Sequence, residues 1–171
     1  MIIAIYGPSC TGKTTITGAL RDAFGLPLRS CGEEVRRRAE VVGLSWDELP
    51  DDQHRAIDTE TLLWVASNRP CLVEGRFLDR VLGPLGHDVT FVRLEASAEE
   101  RLQRWTVRAG RSLSLEELRE ADALNLAFRA RIYMAVESAV PSLILSTSEL
   151  SVEACVQSLK AFIKADRAPH I

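Results

Sequence analysis

MIIAIYGPSCTGKTTI, residues 1–16, is the stretch on which the fold class turns. An apolar run, IIAIY at 2–6, leads without a break into G-x-x-x-x-G-K-T, with Gly7, Gly12, Lys13 and Thr14 at the fixed positions. A buried strand, a glycine-rich loop and a helix in that order form the context in which this motif binds phosphate. Backbone N–H groups of residues 8–14 then converge on anionic oxygens, assisted by the positive end of the helix. The candidate nucleotide-binding residues are therefore Gly7, Pro8, Ser9, Cys10, Thr11, Gly12, Lys13, Thr14 and Thr15. Lys13 is expected to reach the β- and γ-phosphates of ATP, and the Thr14 hydroxyl to bind Mg²⁺. A glycine-rich turn with an incidental lysine is the bland alternative, and the flanking strand and helix argue against it. Cys10 reads as a small loop filler.

Outward from the loop, short apolar runs alternate with longer helical segments. The runs are 2–6, a weak one at 27–31, 71–74, 89–94 and 143–146; helical periodicity covers 13–24, 33–42, 52–67, 98–108, 115–136 and 151–165. Asp51, Ser97, Ser114 and Ser151 are candidate N-caps, and the Ser97/Glu100 and Ser114/Glu117 pairs have capping-box spacing. Such alternation predicts one α/β domain over 1–171, with about five parallel strands between two helical layers. No repeat, low-complexity tract or linker divides it.

The composition agrees. With 171 residues, 46% hydrophobic and 26% charged, the chain can bury one sizeable core. Its formal charge of -3 argues against broad binding to nucleic acid or an anionic membrane. Cys10, Cys31, Cys71 and Cys155 lack C-x-x-C spacing, and His54, His87 and His170 are scattered, so neither a zinc site nor a disulfide framework is expected. No run approaches the length of a membrane span. A reduced cytoplasmic protein, monomeric or weakly dimeric, is the simplest expectation.

The fate of the terminal phosphate is the next question. No N-K-x-D stretch reads a guanine base, and no apolar strand ends in the adjacent acids of a motor. Instead CLVEGRFLD (71–79) places one acid, Glu74, before Gly75 and Arg76. At a strand's C-terminal end Glu74 can hold the water shell of a metal, and Arg76 can clamp a second anion. Arg101, Arg104 and Arg108 share one helix face, with Arg111 beyond them. Like charges so aligned repel unless an anion or neighbouring acids such as Glu100 come between them. Arg129 and Arg131 follow on the next helix, so a hairpin lid over about 101–131 could bring several guanidiniums together and exclude water. Exclusion of water favours transfer of the phosphate over its hydrolysis.

The ordered set of motifs resembles the cytidylate kinases of the nucleoside monophosphate kinase superfamily, their compact archaeal-type branch above all. GPSCTGKTT is similar to the family's phosphate loop. RSCGEEVRRRAEVVGLSWDEL (29–49), with S-x-G-E at Ser30 to Glu33 and Arg36, is similar to its acceptor segment. Ile57-Asp58 matches its I-D pair, VEGR (73–76) matches well, ASAEERLQRWTVRAG (96–110) resembles the lid helix, and Thr147-Ser148 matches the T-S of the adenine-side loop. The resemblance implies transfer of the ATP γ-phosphate to CMP, dCMP or a similar pyrimidine monophosphate. It implies acceptor-binding helices over about 31–68, with Arg36 and Arg76 on the acceptor phosphate and Ser30 and Gly32 near its sugar or base. Glu74 and Gly75 border the acceptor site, and Asp58 is a candidate reader of the cytosine edge. Lys13, Arg76, Arg104, Arg108 and Arg129 would act on the transferred group.

Two departures stand out. Asp122 occupies a position where relatives carry Arg, and Thr59-Glu60 follow the I-D pair where relatives often have basic residues. Both are expected to alter the lid or the acceptor site. Two other readings remain open. A kinase of a non-nucleotide metabolite or antibiotic precursor would need a carboxylate base, with Glu74, Asp58 or Asp79 available. An ATP-binding sensor would need no catalytic set. Trp46, Trp64 and Trp105 read as packing residues, Trp105 lying beside the lid arginines; His54 reads as a solvated helix position, and Asp79 as either a helix-start acid or an acceptor-side carboxylate.

Overall fold

The computed structural model describes residues 1–166; His170 lies outside them. Its strands are β1 (Ile2–Tyr6), β2 (Leu28–Ser30), β3 (Cys71–Gly75), β4 (Val89–Glu95) and β5 (Leu143–Ser146). They form one sheet in the order β2-β3-β1-β4-β5, and every pairing is parallel. The helices are α1 (Lys13–Phe24), α2 (Cys31–Val41), α3 (Asp51–Ser67), α4 (Leu78–Val81), α5 (Ala98–Ala109), α6 (Leu115–Tyr133) and α7 (Val152–Asp166). Parallel strands need such crossovers, which cover the sheet and explain why β1 and β3 are apolar on both faces.

Strand alternation sorts the core into two layers. Ile2, Ala4 and Tyr6 of β1 point to one side, where they meet Val65 of α3, Leu78 of α4 and Phe128, Ile132 and Tyr133 of α6. Ile3 and Ile5 point to the other, against Ile16 and Leu20 of α1 and Cys155, Leu159 and Ile163 of α7. A small third cluster of Ala39, Leu49 and Ile57 holds α2 to α3. Among the described residues no helix is long and apolar enough to cross a membrane.

Local signals explain most boundaries. Ser114 and Glu117 form a reciprocal capping box at α6, and Ser97 caps α5 by accepting from Glu100 N–H. Ser151 accepts from Ala154 N–H at the start of α7. Asp51 is not an N-cap: Pro50 takes that place and Asp51 is the first helical residue, its carboxylate turned to Arg131 at 2.9 Å. Ser30, not foreseen as a cap, accepts from Glu33 N–H and starts α2 at Cys31 rather than at 33. The one-turn α4 and the 3-10 segment Gly83–Asp88 carry too few residues for a periodic signal.

The phosphate loop leaves β1 under close constraint. Gly7 has φ 140, and a Cβ there would lie 2.2 Å from the Leu94 carbonyl oxygen of β4. Only a residue without a side chain lets the loop turn against the neighbouring strand. Gly7→Ala should therefore cost about 3 kcal/mol through strain and overpacking. A thermal melt should show a fall in Tm of about 9 °C for a chain of this size; an unchanged Tm would mean that the loop can move off β4 freely.

Candidate active site

A cavity of about 610 Å³ opens where the loop after β1 meets the C-terminal end of β3, between α2–α3 and the α5–α6 hairpin. This is where open parallel sheets collect their ligand groups. One wall is the phosphate loop. Lys13 Nζ donates to the carbonyls of Gly7 at 2.9 Å and Pro8 at 2.5 Å. Burial, then the charge of Arg76, pushes the Lys13 ammonium down to about 7, while Glu74 works the other way. Thr11 donates to Pro8 O, and Gly12 and Cys10 adopt left-handed conformations with φ 80 and φ 63. Ser9, Cys10, Gly12, Thr14 and Thr15 also line this wall.

Glu74, 4% exposed, ends β3 behind the loop. It accepts from Thr14 Oγ1 at 3.2 Å, Thr17 Oγ1 at 3.1 Å and Ser30 Oγ at 2.5 Å. A loop hydroxyl beside a carboxylate suits Mg²⁺, which takes few protein ligands and fills its octahedron with water and phosphate oxygens. Among the described residues no cluster of three or more His, Cys, Asp or Glu offers a different metal site. Ser30 is not brought to the cavity as expected, because Glu74 and the α2 N-terminus engage its hydroxyl. Gly32 does line it, and a Cβ there would lie 3.4 Å from an Arg36 terminal nitrogen, so its bareness leaves the guanidinium room.

The arginines divide into committed and free groups. Arg101 donates to Ser9 O at 2.8 Å and to both oxygens of Asp122, at 2.9 and 2.6 Å. Arg104 is held by Glu100 at 3.0 Å and by the Thr147 side chain and carbonyl, both at 2.8 Å. The Thr147 hydroxyl lies 3.1 Å from Thr11 O, and Ser148 Oγ accepts from Ser97 N–H at 2.8 Å. The Thr147-Ser148 pair thus anchors α5 and the loop from behind the cavity.

Arg129 departs from expectation. It binds the buried carboxylate of Asp79, and Ser138 at 2.7 Å, and it does not line the cavity. Burial of Asp79 at 3% exposure demands a cationic partner, and α6 supplies it. Asp79 is accordingly a structural acid, and Arg131 is likewise spent on Asp51.

Three guanidiniums remain together: Arg36, Arg76 and Arg108 all line the cavity. Arg36 and Arg108 have no acidic partner among the described residues. Burial, then the nearby charges of Arg36 and Arg108, lowers the Arg76 guanidinium to about 10. Arg76 is fixed by a hydrogen bond to Asn125 Oδ1 and lies 4.4 Å over the Trp46 ring. Unneutralised, mutually repelling cations in one cavity are a ready site for an anion.

The opposite wall is aromatic. Phe77 stacks on Phe128 at 5.8 Å, and His54 meets Phe128 edge-on at 4.6 Å. His54 is buried rather than solvated, with Nε2 3.2 Å from Trp46 O, and burial lowers its pKa. Trp46 and Trp105 line the cavity, while Trp64 packs in the core. Asp58 also lines it; Tyr133 donates to its Oδ2 at 2.7 Å, and burial pushes its carboxyl up to about 6. Asn125 and Tyr133 were missed in the sequence. Projecting α6 at 3.6 residues per turn would have placed Leu118, Asp122, Asn125 and Phe128 on one inward stripe. The other departure, Thr59-Glu60, is not in the site: Glu60 binds Arg38 at 2.6 Å, and Thr59 donates to Arg55 O.

No protein-family model matches the chain. Among curated proteins it is similar to the cytidylate kinase of Pyrobaculum aerophilum, with 30% identity over 92% of this chain and 89% of that one. The cytidylate kinase of Ignicoccus hospitalis is 28% identical over 95% of this chain and 98% of its own. Solved structures of similar fold include a shikimate kinase from Acinetobacter baumannii, with TM-score 0.66, 20% identity, and coverage of 97% of this chain and 94% of that one. A gluconokinase from Sinorhizobium meliloti has TM-score 0.66 and 19% identity, covering 96% and 92%. At such identities these structures speak for the fold alone.

The low Lys13 pKa has a measurable consequence. At pH 8 this lysine is mostly neutral, and a triphosphate against it favours the charged form, so binding takes up a proton. Calorimetry of Mg-ATP binding in buffers of differing ionisation enthalpy should register uptake of about one proton. Lys13→Met should abolish it; equal uptake in both proteins would place the titrating group elsewhere.

Proposed function

The chain belongs to the cytidylate kinase family, and we propose that it transfers the γ-phosphate of ATP to a pyrimidine nucleoside monophosphate, CMP or dCMP. The observation that carries this reading is the trio Arg36, Arg76 and Arg108, free of acids and facing the Lys13 loop across one cavity. Such a trio is built for an acceptor that brings its own phosphate.

The placement of the side chains supports the following roles. The loop N–H groups and Lys13 hold the donor phosphates. Arg36 and Arg76 hold the acceptor phosphate, Arg76 pre-oriented by Asn125 and Trp46. A phosphate monoester oxygen is already an anionic nucleophile, so no base is required, and catalysis is positioning plus charge stabilisation. Lys13 and Arg108 offset charge on the group in transit. Mg²⁺ near Thr14 and Glu74 supplies further charge neutralisation when bound. Arg101 and Asp122 act as a strut that ties the α5–α6 lid to the loop at Ser9. Asp58 accepts from the amino group of cytosine, and the aromatic wall takes the base.

A second reading has its own observation. Asp58, with its carboxyl near 6 inside the cavity, could serve as base for an alcohol acceptor. The fold neighbours that phosphorylate shikimate and gluconate share this architecture. The arginine trio favours the monophosphate, whose phosphate brings more negative charge and more acceptor oxygens to Arg36, Arg76 and Arg108 than the single carboxylate of shikimate or gluconate.

The test is ADP production from Mg-ATP with CMP, dCMP, UMP, AMP, shikimate, gluconate or no acceptor. Turnover is expected with CMP or dCMP; turnover with an alcohol alone would establish the second reading. Arg36→Ala should raise the KM for CMP by about tenfold to a hundredfold, the worth of a charged hydrogen bond. The KM for ATP should not change. A selective loss of ATP affinity would show that Arg36 belongs to the donor side.

A further inference from the structure

We propose that Tyr133 is the specificity-positioning residue of the acceptor site: its hydroxyl donates to Asp58 Oδ2 and leaves Oδ1 as a pure hydrogen-bond acceptor, so the site selects a base presenting an amino group over one presenting a carbonyl. This rests on the acceptor being a pyrimidine nucleoside monophosphate.

The geometry supports it at each step. Tyr133, 9% exposed, sits at the end of α6 with its ring 5.8 Å from Phe77, and its hydroxyl has Asp58 as its one partner among the described residues. Burial and the Asp58 charge raise the phenol's pKa, so it stays protonated and must donate. Oδ1 of Asp58 has no hydrogen-bond partner among the described residues, and it is not a buried orphan, so it is open to the cavity that Asp58 lines. Cytosine offers an amino donor where uracil offers a carbonyl oxygen. An ionised Asp58 therefore binds the first and repels the second.

Selection depends on Asp58 being ionised, and the phenol keeps it so. Burial opposes the charge; the Tyr133 hydrogen bond and, more weakly, Arg55 support it. The other titratable neighbour is Cys31 of α2, whose thiol burial pushes up to about 11, so it brings no charge at neutral pH. Tyr133→Phe removes the main support and leaves a carboxyl that is protonated near neutrality. A protonated Asp58 can donate to a carbonyl, and discrimination against uracil falls.

The experiment is the ratio of kcat/KM for CMP to that for UMP, from pH 5 to 9, in the natural protein, Tyr133→Phe and Asp58→Asn. The natural protein should lose discrimination below about pH 6. Tyr133→Phe should lose it about one pH unit higher or more, with the ratio at pH 7 down about tenfold and restored by pH 9. Asp58→Asn should be unselective at every pH. Loss of discrimination in Tyr133→Phe that pH does not restore marks a merely structural tyrosine and overturns the proposal, as does an unshifted midpoint. The ¹³C titration of the Asp58 carboxyl in ligand-free protein reads the same coupling without turnover. An upward shift in Tyr133→Phe with neither CMP nor UMP phosphorylated would sink the monophosphate reading, and the specificity role with it, while leaving the Tyr133–Asp58 coupling established; no shift overturns the proposal on its own.

Discussion

Glu74 is the point on which the molecule's working parts depend. A carboxylate at 4% exposure must be supplied with donors, and it draws three of them from two elements. Thr14 and Thr17 come from the first turns of α1, and Ser30 from the end of β2 where α2 begins. One buried charge thereby sets the phosphate loop and the start of α2 at a defined separation. The same oxygen that binds Ser30 lies against Thr14, so α1 and the start of α2 share one atom of the carboxylate.

Around this centre, what an arginine does is decided by which acids lie within reach. Of the seven arginines that the reading of the chain singled out as groups, Arg101, Arg104, Arg111, Arg129 and Arg131 each find a carboxylate. Arg76 and Arg108 do not, and Arg36 joins them. Asp122 illustrates the point. It places an acid on the inward face of α6 that gives both oxygens to Arg101, which is also bound to the loop, and its charge weakly supports Arg76 as well. The α5–α6 hairpin is thereby tied to the phosphate loop through one ion pair. A pair with one buried partner, Arg101, and two parallel hydrogen bonds holds geometry better than a fully exposed one.

The aromatic wall has a comparable logic. Trp46, His54, Phe77 and Phe128 come from a loop, two helices and the segment after β3, and they pack edge-to-face and stacked into one surface. Such rings bury area with little loss of side-chain freedom, which makes a stiff floor for a planar ligand. They also pack against Arg76 and Tyr133, whose side chains are thereby oriented by the wall itself.

Much of this was readable along the chain. Residues 1–16 hold strand, loop and helix in consecutive order, so local physics is enough to specify the phosphate site. The alternation of apolar runs with amphipathic segments likewise leads to a covered parallel sheet, because no other packing buries both kinds of element. Arg36, Asp58, Glu74 and Arg76 were legible as a set through their motif neighbours. The pairings were not. That Arg129 turns to Asp79, that His54 is buried, that Glu60 lies outside the cavity and that Tyr133 reaches Asp58 are contacts between residues 22 to 75 positions apart, or matters of which helix face is covered. Charge and hydrogen-bond partnership fall off within a few ångströms, and only the packing of α3, α4 and α6 against one side of the sheet sets those distances.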